Sequence, residues 1–175
     1  LLPQNRKEIE KWLEADKDAI NWDEHIQHIC ELDNNRNIEA RKSLMRSKIK
    51  DVIWCNALLL NPIAPVDATF DVVGTSFMLE CAAGSDTPET FRQLIKNASN
   101  LVKPGGFLVQ LLSGPCTYWR VKNVYFRSNA PTREYAEESI RLAGFDILKS
   151  QCYDIPGDLD KLDGKEMYLI VSQKR

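Results

Sequence analysis

Several common signals are missing from this chain, and each absence removes a class of protein. No apolar run approaches the roughly 20 residues of a membrane-spanning helix, and no secretory signal opens the sequence. Neither charge dominates: 23 Lys and Arg face 25 Asp and Glu, for a formal net charge of -2. The charges are interspersed without a basic stripe, so a nucleic-acid partner is not expected. Five cysteines (Cys30, Cys55, Cys81, Cys116, Cys152) are scattered, odd in number and never in CxxC spacing. Reduced thiols in an intracellular protein fit that pattern better than a disulfide framework or a zinc site. Only two histidines occur, His25 and His28. They stand at helical spacing, but without a third ligand nearby two solvated side chains are the plainer reading, and no metal is expected. Glycine is sparse where a dinucleotide or cofactor loop needs it. Before Gly105 only Gly74 and Gly84 occur, neither in a Gly-x-Gly turn that opens a helix. There is no internal repeat, no low-complexity tract and no initiator methionine at Leu1-Leu2-Pro3, so the chain is expected to be a fragment.

The 175 residues, 43% of them hydrophobic, suit one domain with a real core. Its pivot is Leu101-Val102-Lys103-Pro104-Gly105-Gly106-Phe107-Leu108-Val109-Gln110-Leu111-Leu112. Upstream, from Pro88 to Val102, apolar residues fall at helical spacing (Phe91, Leu94, Ile95, Ala98, Leu101, Val102); downstream the run is almost uninterruptedly apolar. Pro104 removes a backbone donor and biases Lys103 out of helical geometry, and the glycines accept a positive φ, so a helix is expected to stop there and a buried strand to begin. Phe70 to Phe77 reads as a second short buried strand, making Phe70–Leu112 a β, helix, parallel β crossover and the chain an α/β protein.

The remaining elements follow in order. Pro3 to Lys17 has a helical pattern with Asn5 as N-cap, and Asp23 to Leu32 is a second helix capped by Asp23. Asp33-Asn34-Asn35-Arg36-Asn37 is turn chemistry before a basic helix, Ile38 to Lys50, whose cations read as a solvated face or a phosphate contact. Val52-Ile53-Trp54-Cys55-Asn56-Ala57 is expected as the first strand, followed by a loop to Thr69. A loop is expected from Ser113 through Pro131, then a helix from Thr132, its N-cap, to Ala143, closed by Gly144. Phe145 to Tyr153 and Met167 to Gln173 are the last strands. They are joined through Ile155-Pro156-Gly157-Asp158 and Asp163-Gly164-Lys165, and are expected as an antiparallel hairpin at one side of the sheet.

Gln4-Asn5 with Glu8-Ile9-Glu10-Lys11-Trp12-Leu13, the Cys55-Asn56 strand end, Phe77-Met78-Leu79-Glu80-Cys81-Ala82 and Lys103-Pro104-Gly105-Gly106-Phe107-Leu108-Val109 occur in that order. In this the chain resembles the nicotinamide, phenylethanolamine and thioether (indolethylamine) methyltransferases, a family of class I S-adenosylmethionine-dependent enzymes. The resemblance implies a Rossmann-like sheet, mostly parallel with a terminal antiparallel hairpin, lacking its first two strands. It also implies that 1–175 is a single incomplete methyltransferase domain, its glycine-rich cofactor loop lying upstream, and that the strand at Asp71 exposes an unpaired edge. A soluble, cytoplasmic protein, monomeric at full length, is expected, with a small-molecule methyl acceptor as its partner and no membrane.

Ligands of open α/β sheets gather at the carboxyl ends of the strands. The resemblance implies that Cys55, Asn56 and Ala57 hold the adenine of S-adenosylmethionine, the Asn56 amide oxygen accepting from the exocyclic amine; an ordinary strand-ending Asn turn is the alternative. It implies a ribose-side contact for Asn5, which also suits a plain N-cap, and a position beneath the cofactor for Ser76 with its neighbours Thr75 and Phe77. Glu80 is the expected catalytic residue. A carboxylate in so apolar a stretch needs a partner, and a substrate amine or ring nitrogen is one; a first-turn carboxylate at a helix end is the other reading. Phe77, Glu80, Cys81, Ser113, Cys116, Trp119 and Ser128 are the expected acceptor-side residues, with Tyr118, Tyr125 and Phe126 as further aromatics that line the pocket or simply pack. The family's second carboxylate falls at Leu112-Ser113, where no acid stands, which points to a smaller, less basic or more apolar acceptor. The expected reaction is methyl transfer from S-adenosylmethionine to an amine, ring nitrogen or thioether, the fragment being inactive alone. A methyltransferase-like binding or regulatory protein is the rival, and a dinucleotide-binding oxidoreductase a weaker third.

Overall fold

Two units divide the chain, residues 1–54 and 55–175. The structure, a computed structural model, describes residues 3–34, 37–84, 88–128, 130–155 and 163–175. The Asn35-Arg36 part of the expected turn and the Pro156-Gly157-Asp158 connection lie outside the described residues.

The first unit is helical. α1 (Pro3–Leu13) begins before Asn5, so Asn5 lies inside the helix and does not cap it. It also stops short of Lys17, because Ala15 takes a positive φ of 58° and the chain turns back, its amide bonded to the Trp12 carbonyl at 3.2 Å. α2 (Asp23–Leu32) has the expected span, but Asp23 is its first helical residue; the cap position is Trp22, and the Asn21 side chain accepts from the Asp23 amide at 2.8 Å. α3 (Ile38–Lys48) is capped by Asn37, whose Oδ1 accepts from the Ala40 amide at 2.9 Å. Trp12, Ile26 and Cys30 form the buried core of this unit. Arg46 donates to the Trp12 carbonyl at 2.8 Å with its guanidinium 4.8 Å from the ring centroid. Lys42 pairs with Asp23 and Glu39, and Arg41 with Asp33. These α3 cations are therefore engaged within their own unit. His25 lies edge-on to the Trp22 ring, centroids 5.5 Å apart.

The second unit is α/β. Its elements are β1 (Phe70–Ser76), α4 (Leu79–Ala83), α5 (Pro88–Ser99), β2 (Val102–Ser113), β3 (Tyr118–Val121), β4 (Val124–Arg127), α6 (Arg133–Leu142), β5 (Phe145–Asp154) and β6 (Glu166–Lys174). The main sheet has the order β1-β2-β6-β5. β1 and β2 are parallel, and β6 runs antiparallel to both β2 and β5, so three of the four strands point one way. The terminal pair is antiparallel as expected, with its second strand inserted between β2 and β5. Leu108, Leu112 and Ile170 face the buried sides of α5 and α6, where Phe91, Ile95 and Ile140 complete the core.

Four expectations need correction. Residues 52–57 form no strand: β1 is the end of its sheet, and among the described residues no ladder forms on its other edge to hold them. β1 itself is not buried; Phe70 and Val72 are exposed, as an edge strand permits. α5 ends at Ser99 and not at Val102, and the Lys-Pro-Gly-Gly segment lies within β2 as a bulge. There the register jumps from Phe70↔Val102 to Val72↔Phe107. Gly105 has φ +75°, and a Cβ on Gly106 would lie 2.8 Å from the Asp71 carbonyl oxygen, so the bulge requires both glycines. Finally, the expected loop from Ser113 to Pro131 contains the β3–β4 hairpin. The α6 expectation holds: Thr132 accepts from the Tyr135 amide at 3.2 Å, and Gly144 follows with φ +93°. No helix among the described residues is long and apolar enough to cross a membrane.

Candidate functional site

Because β1 and β2 are parallel, their carboxyl ends, Ser76 and Ser113, share one rim of the sheet. The chain leaves β1 through Phe77, which adopts a positive φ of 48° and donates its amide to the Leu111 carbonyl at 2.8 Å. A bulky residue in left-handed geometry is strained, and strain of this kind gathers at functional sites. The turn starts α4 at once and carries Glu80 back to the tip of β2. Glu80 is fully buried. Its Oε1 accepts from the Ser113 amide at 2.8 Å and from the Ser113 hydroxyl at 3.2 Å. Its Oε2 is buried without a hydrogen-bond partner among the described residues. Burial raises the Glu80 pKa above the ordinary carboxyl value, and the Ser113 bonds only partly oppose that.

Other expected acceptor-side residues gather here. Cys116, buried, directs its thiol to the Ser128 hydroxyl at 3.4 Å and more distantly to that of Ser113 at 3.9 Å. Cys81 follows Glu80 on α4; partial desolvation, helped by the negative potential of Glu80 and Cys116, pushes its thiol up to about 11, so it is no ready nucleophile. Trp119 stacks on Phe126 with centroids 4.3 Å apart, and Tyr118 meets Tyr125 edge-on at 5.3 Å. The absence of an acid at Leu112-Ser113 therefore does not leave the tip of β2 without a carboxylate. Glu80 reaches it from α4, as the first of the two expected carboxylates; the place of the second, at Leu112-Ser113, still holds no acid.

The structure does not bring the expected adenine residues to this rim. α5 runs from the rim at Pro88 back to the start of β2, about 18 Å at 1.5 Å per residue. In its last turn Asn97 donates to the Ala57 carbonyl at 2.9 Å, and just beyond it Asn100 donates to the Leu60 carbonyl at 2.9 Å. The segment after Asn56 is thus tied near the amino-end rim. Asn56 Oδ1 accepts from the Leu58 amide at 3.1 Å, which is the plain Asn turn. Cys55 is exposed, its thiol pKa raised by partial burial of the sulfur. Asn5 belongs to the helical unit, where it lines a cavity of about 590 Å³ with Trp12, Trp22 and several isoleucines. The acceptor-side residues Glu80, Ser113, Cys116 and Ser128, by contrast, assemble at the carboxyl-end rim.

Sequence reasoning missed two features. The hairpin had a local signal, aromatic and β-branched runs Tyr118–Val121 and Val124–Arg127 separated by the two residues Lys122-Asn123. The second is Asp163. Its Oδ1 accepts from the amides of Thr117 at 2.7 Å and Tyr118 at 3.3 Å, and its Oδ2 from the Thr117 hydroxyl at 2.5 Å. A contact spanning so much chain has no sequence signature.

The family model described as NNMT/PNMT/TEMT matches residues 1–175. Indolethylamine N-methyltransferase of Oryctolagus cuniculus is 34% identical over 146 residues, 82% of this chain and 55% of the relative. Nicotinamide N-methyltransferase of Homo sapiens is 31% identical over 82% of this chain and 54% of its own length. Human phenylethanolamine N-methyltransferase is 22% identical over 90% of the chain and 57% of its own length. The chain spans a little over half the length of these relatives. Among solved structures, a SAM-dependent methyltransferase from Methanosarcina mazei superposes with a TM-score of 0.54 at 15% identity, over 68% of this chain and 64% of that one, a likeness of fold.

Proposed function

The chain belongs to the NNMT/PNMT/TEMT family, and from that premise we propose that it serves S-adenosylmethionine-dependent methyl transfer to a small-molecule amine or ring nitrogen, with residues 1–175 working as one methyltransferase domain. The observation that carries the proposal is the unpartnered Oε2 of the fully buried Glu80. A buried carboxylate oxygen without a donor is costly, and an acceptor N–H supplies that donor. A thioether has none, and neither does a pyridine-type ring nitrogen at the reacting atom, so the amine class fits this site best, a ring-nitrogen acceptor needing an N–H elsewhere on the molecule.

In this reading Ser113 holds one oxygen of Glu80 and thereby aims the other. Glu80 orients the acceptor nitrogen with its lone pair free for in-line attack. The raised proton affinity of the buried carboxylate also suits a group that takes up the proton an alkylated amine must shed. Cys116 and Ser128 present weakly engaged polar atoms beside it. The adenine roles of Cys55, Asn56 and Ala57 draw no support from the Asn56 turn, and the ribose role of Asn5 stays a proposal. Ser76 and Phe77, at the rim, keep theirs as proposals. We further place the protein in the cytoplasm, as a monomer, on its scattered free cysteines and mixed surface charge.

A methyl-acceptor screen with labelled S-adenosylmethionine, run on a protein that joins these residues to a glycine-rich cofactor loop, tests the proposal. Amines are expected to be labelled and thioethers not, with Glu80→Gln suppressing transfer far more than cofactor binding. Equal losses of transfer and cofactor affinity would mark Glu80 as structural. Absence of both cofactor binding and transfer would favour the rival, a methyltransferase-like binding or regulatory protein that has lost its cofactor loop.

A further inference from the structure

The hairpin β3–β4 springs from the Glu80–Ser113 rim: Ser113 ends β2, Cys116 and Thr117 lead into β3, and Ser128 follows β4. Among the described residues no helix or other strand packs broadly on it, and a two-stranded hairpin is marginal by itself. Its faces are largely exposed, with Val121, Val124, Tyr125 and Phe126 open to solvent. What fixes its angle is therefore what holds its base. The Ser128 amide donates to the Thr117 carbonyl at 2.9 Å, which closes the base on itself. Among the described residues, one tie to the rest of the unit is Asp163, ahead of β6, which accepts two amides and one hydroxyl from Thr117 and Tyr118. Bonds to an ionised carboxylate are roughly twice as strong as neutral ones. Some desolvation opposes the ionised form of Asp163, but the Thr117 and Tyr118 donors outweigh it and hold the carboxyl below its usual range. The anchor is thus formed by a charged group at neutral pH.

We propose that Asp163 is a positioning residue for acceptor recognition, clamping Thr117 and Tyr118 so that the aromatic hairpin keeps one fixed orientation beside the Glu80–Ser113 rim. The inference rests on the acceptor-site reading above for its functional half and on hydrogen-bond geometry for its structural half. Asp163 is exposed, bonds Thr117 and Tyr118, and acts through the hairpin it holds.

Amide hydrogen exchange and calorimetric titration of indolethylamine, both on the full chain, test the two halves. In Asp163→Ala, amides from Thr117 to Arg127 are expected to exchange about tenfold faster while those of β2 and β6 keep their rates, and indolethylamine affinity is expected to fall about tenfold. Asp163→Asn retains one acceptor oxygen and should recover most of the protection. Unchanged exchange in Asp163→Ala overturns the anchor, whatever the titration shows. Faster exchange with unchanged affinity overturns the recognition role. If the unaltered chain fails to bind indolethylamine, or binds it as well after Glu80→Gln, the acceptor reading fails and takes that role with it, which the exchange data distinguish from failure of the anchor.

Discussion

The two rims of the main sheet treat polar groups in opposite ways. At the amino-end rim, donors are matched to backbone carbonyls: Asn97 to Ala57, Asn100 to Leu60, Lys174 to both Ser99 and Val102 at 2.8 Å each, and Gln173 to Gly105 at 3.0 Å. At the carboxyl-end rim, Glu80 keeps an unpartnered buried oxygen, Phe77 is strained, and Cys116 and Ser128 share a long thiol contact. Satisfied polar groups stabilise a fold, and unsatisfied buried ones destabilise it unless a ligand completes them. The polar pairing at the first rim is that of a scaffold, and the second is the rim we propose for a ligand.

The largest effect that would sharpen this contrast is Glu80→Gln. Turnover of an amine acceptor should fall on the order of 100-fold, the scale of a lost general base, while the urea midpoint stays level or rises. A lower midpoint would make the carboxyl-end rim scaffold as well. The opposite signature is expected at the other rim. Asn97→Ala strips a buried donor from the Ala57 carbonyl and leaves Gln93 without its acceptor, and should cost about 1–3 kcal/mol in urea denaturation with acceptor affinity intact. Loss of acceptor affinity there would dissolve the distinction between the rims.

A smaller effect is linked to pH. The Glu80 pKa is raised from 4.5 in the folded protein. Below that value both states carry the proton; as pH rises, the unfolded chain releases its proton first, so Glu80 lowers stability progressively until the folded-state value is passed. Glu80→Gln should flatten that part of the stability profile, measured as urea midpoints from about pH 4 to about pH 7. A parallel profile would mean that the carboxyl is not desolvated. Smallest of all, Asn100→Ala removes an exposed bond and should change stability by no more than about 0.5 kcal/mol. A large loss would show that the Leu60 tether bears more of the fold than its exposure implies.

Glu80 was legible because a carboxylate inside Phe77-Met78-Leu79-Glu80-Cys81-Ala82 conflicts with its surroundings, and such conflicts mark sites. Its partner was not, since Ser113 lies 33 residues away and only the parallel pairing of β1 with β2 brings the two together. Asn56 was misjudged for a related reason. The run Val52–Ala57 has strand composition, but a strand exists only where a neighbour accepts its hydrogen bonds.

By itself the sequence determined the crossover from Phe70 to Leu112, the capped α6 and the terminal antiparallel pair, because periodicity, capping residues and glycine requirements act over a few residues. Tertiary structure alone decided that Glu80 meets Ser113, that Asp163 grips the hairpin, and that the Ala57–Leu60 segment is held by α5. Those contacts join residues far apart in the chain, and what selects them is the free energy of burying polar atoms with or without partners, which no local pattern records.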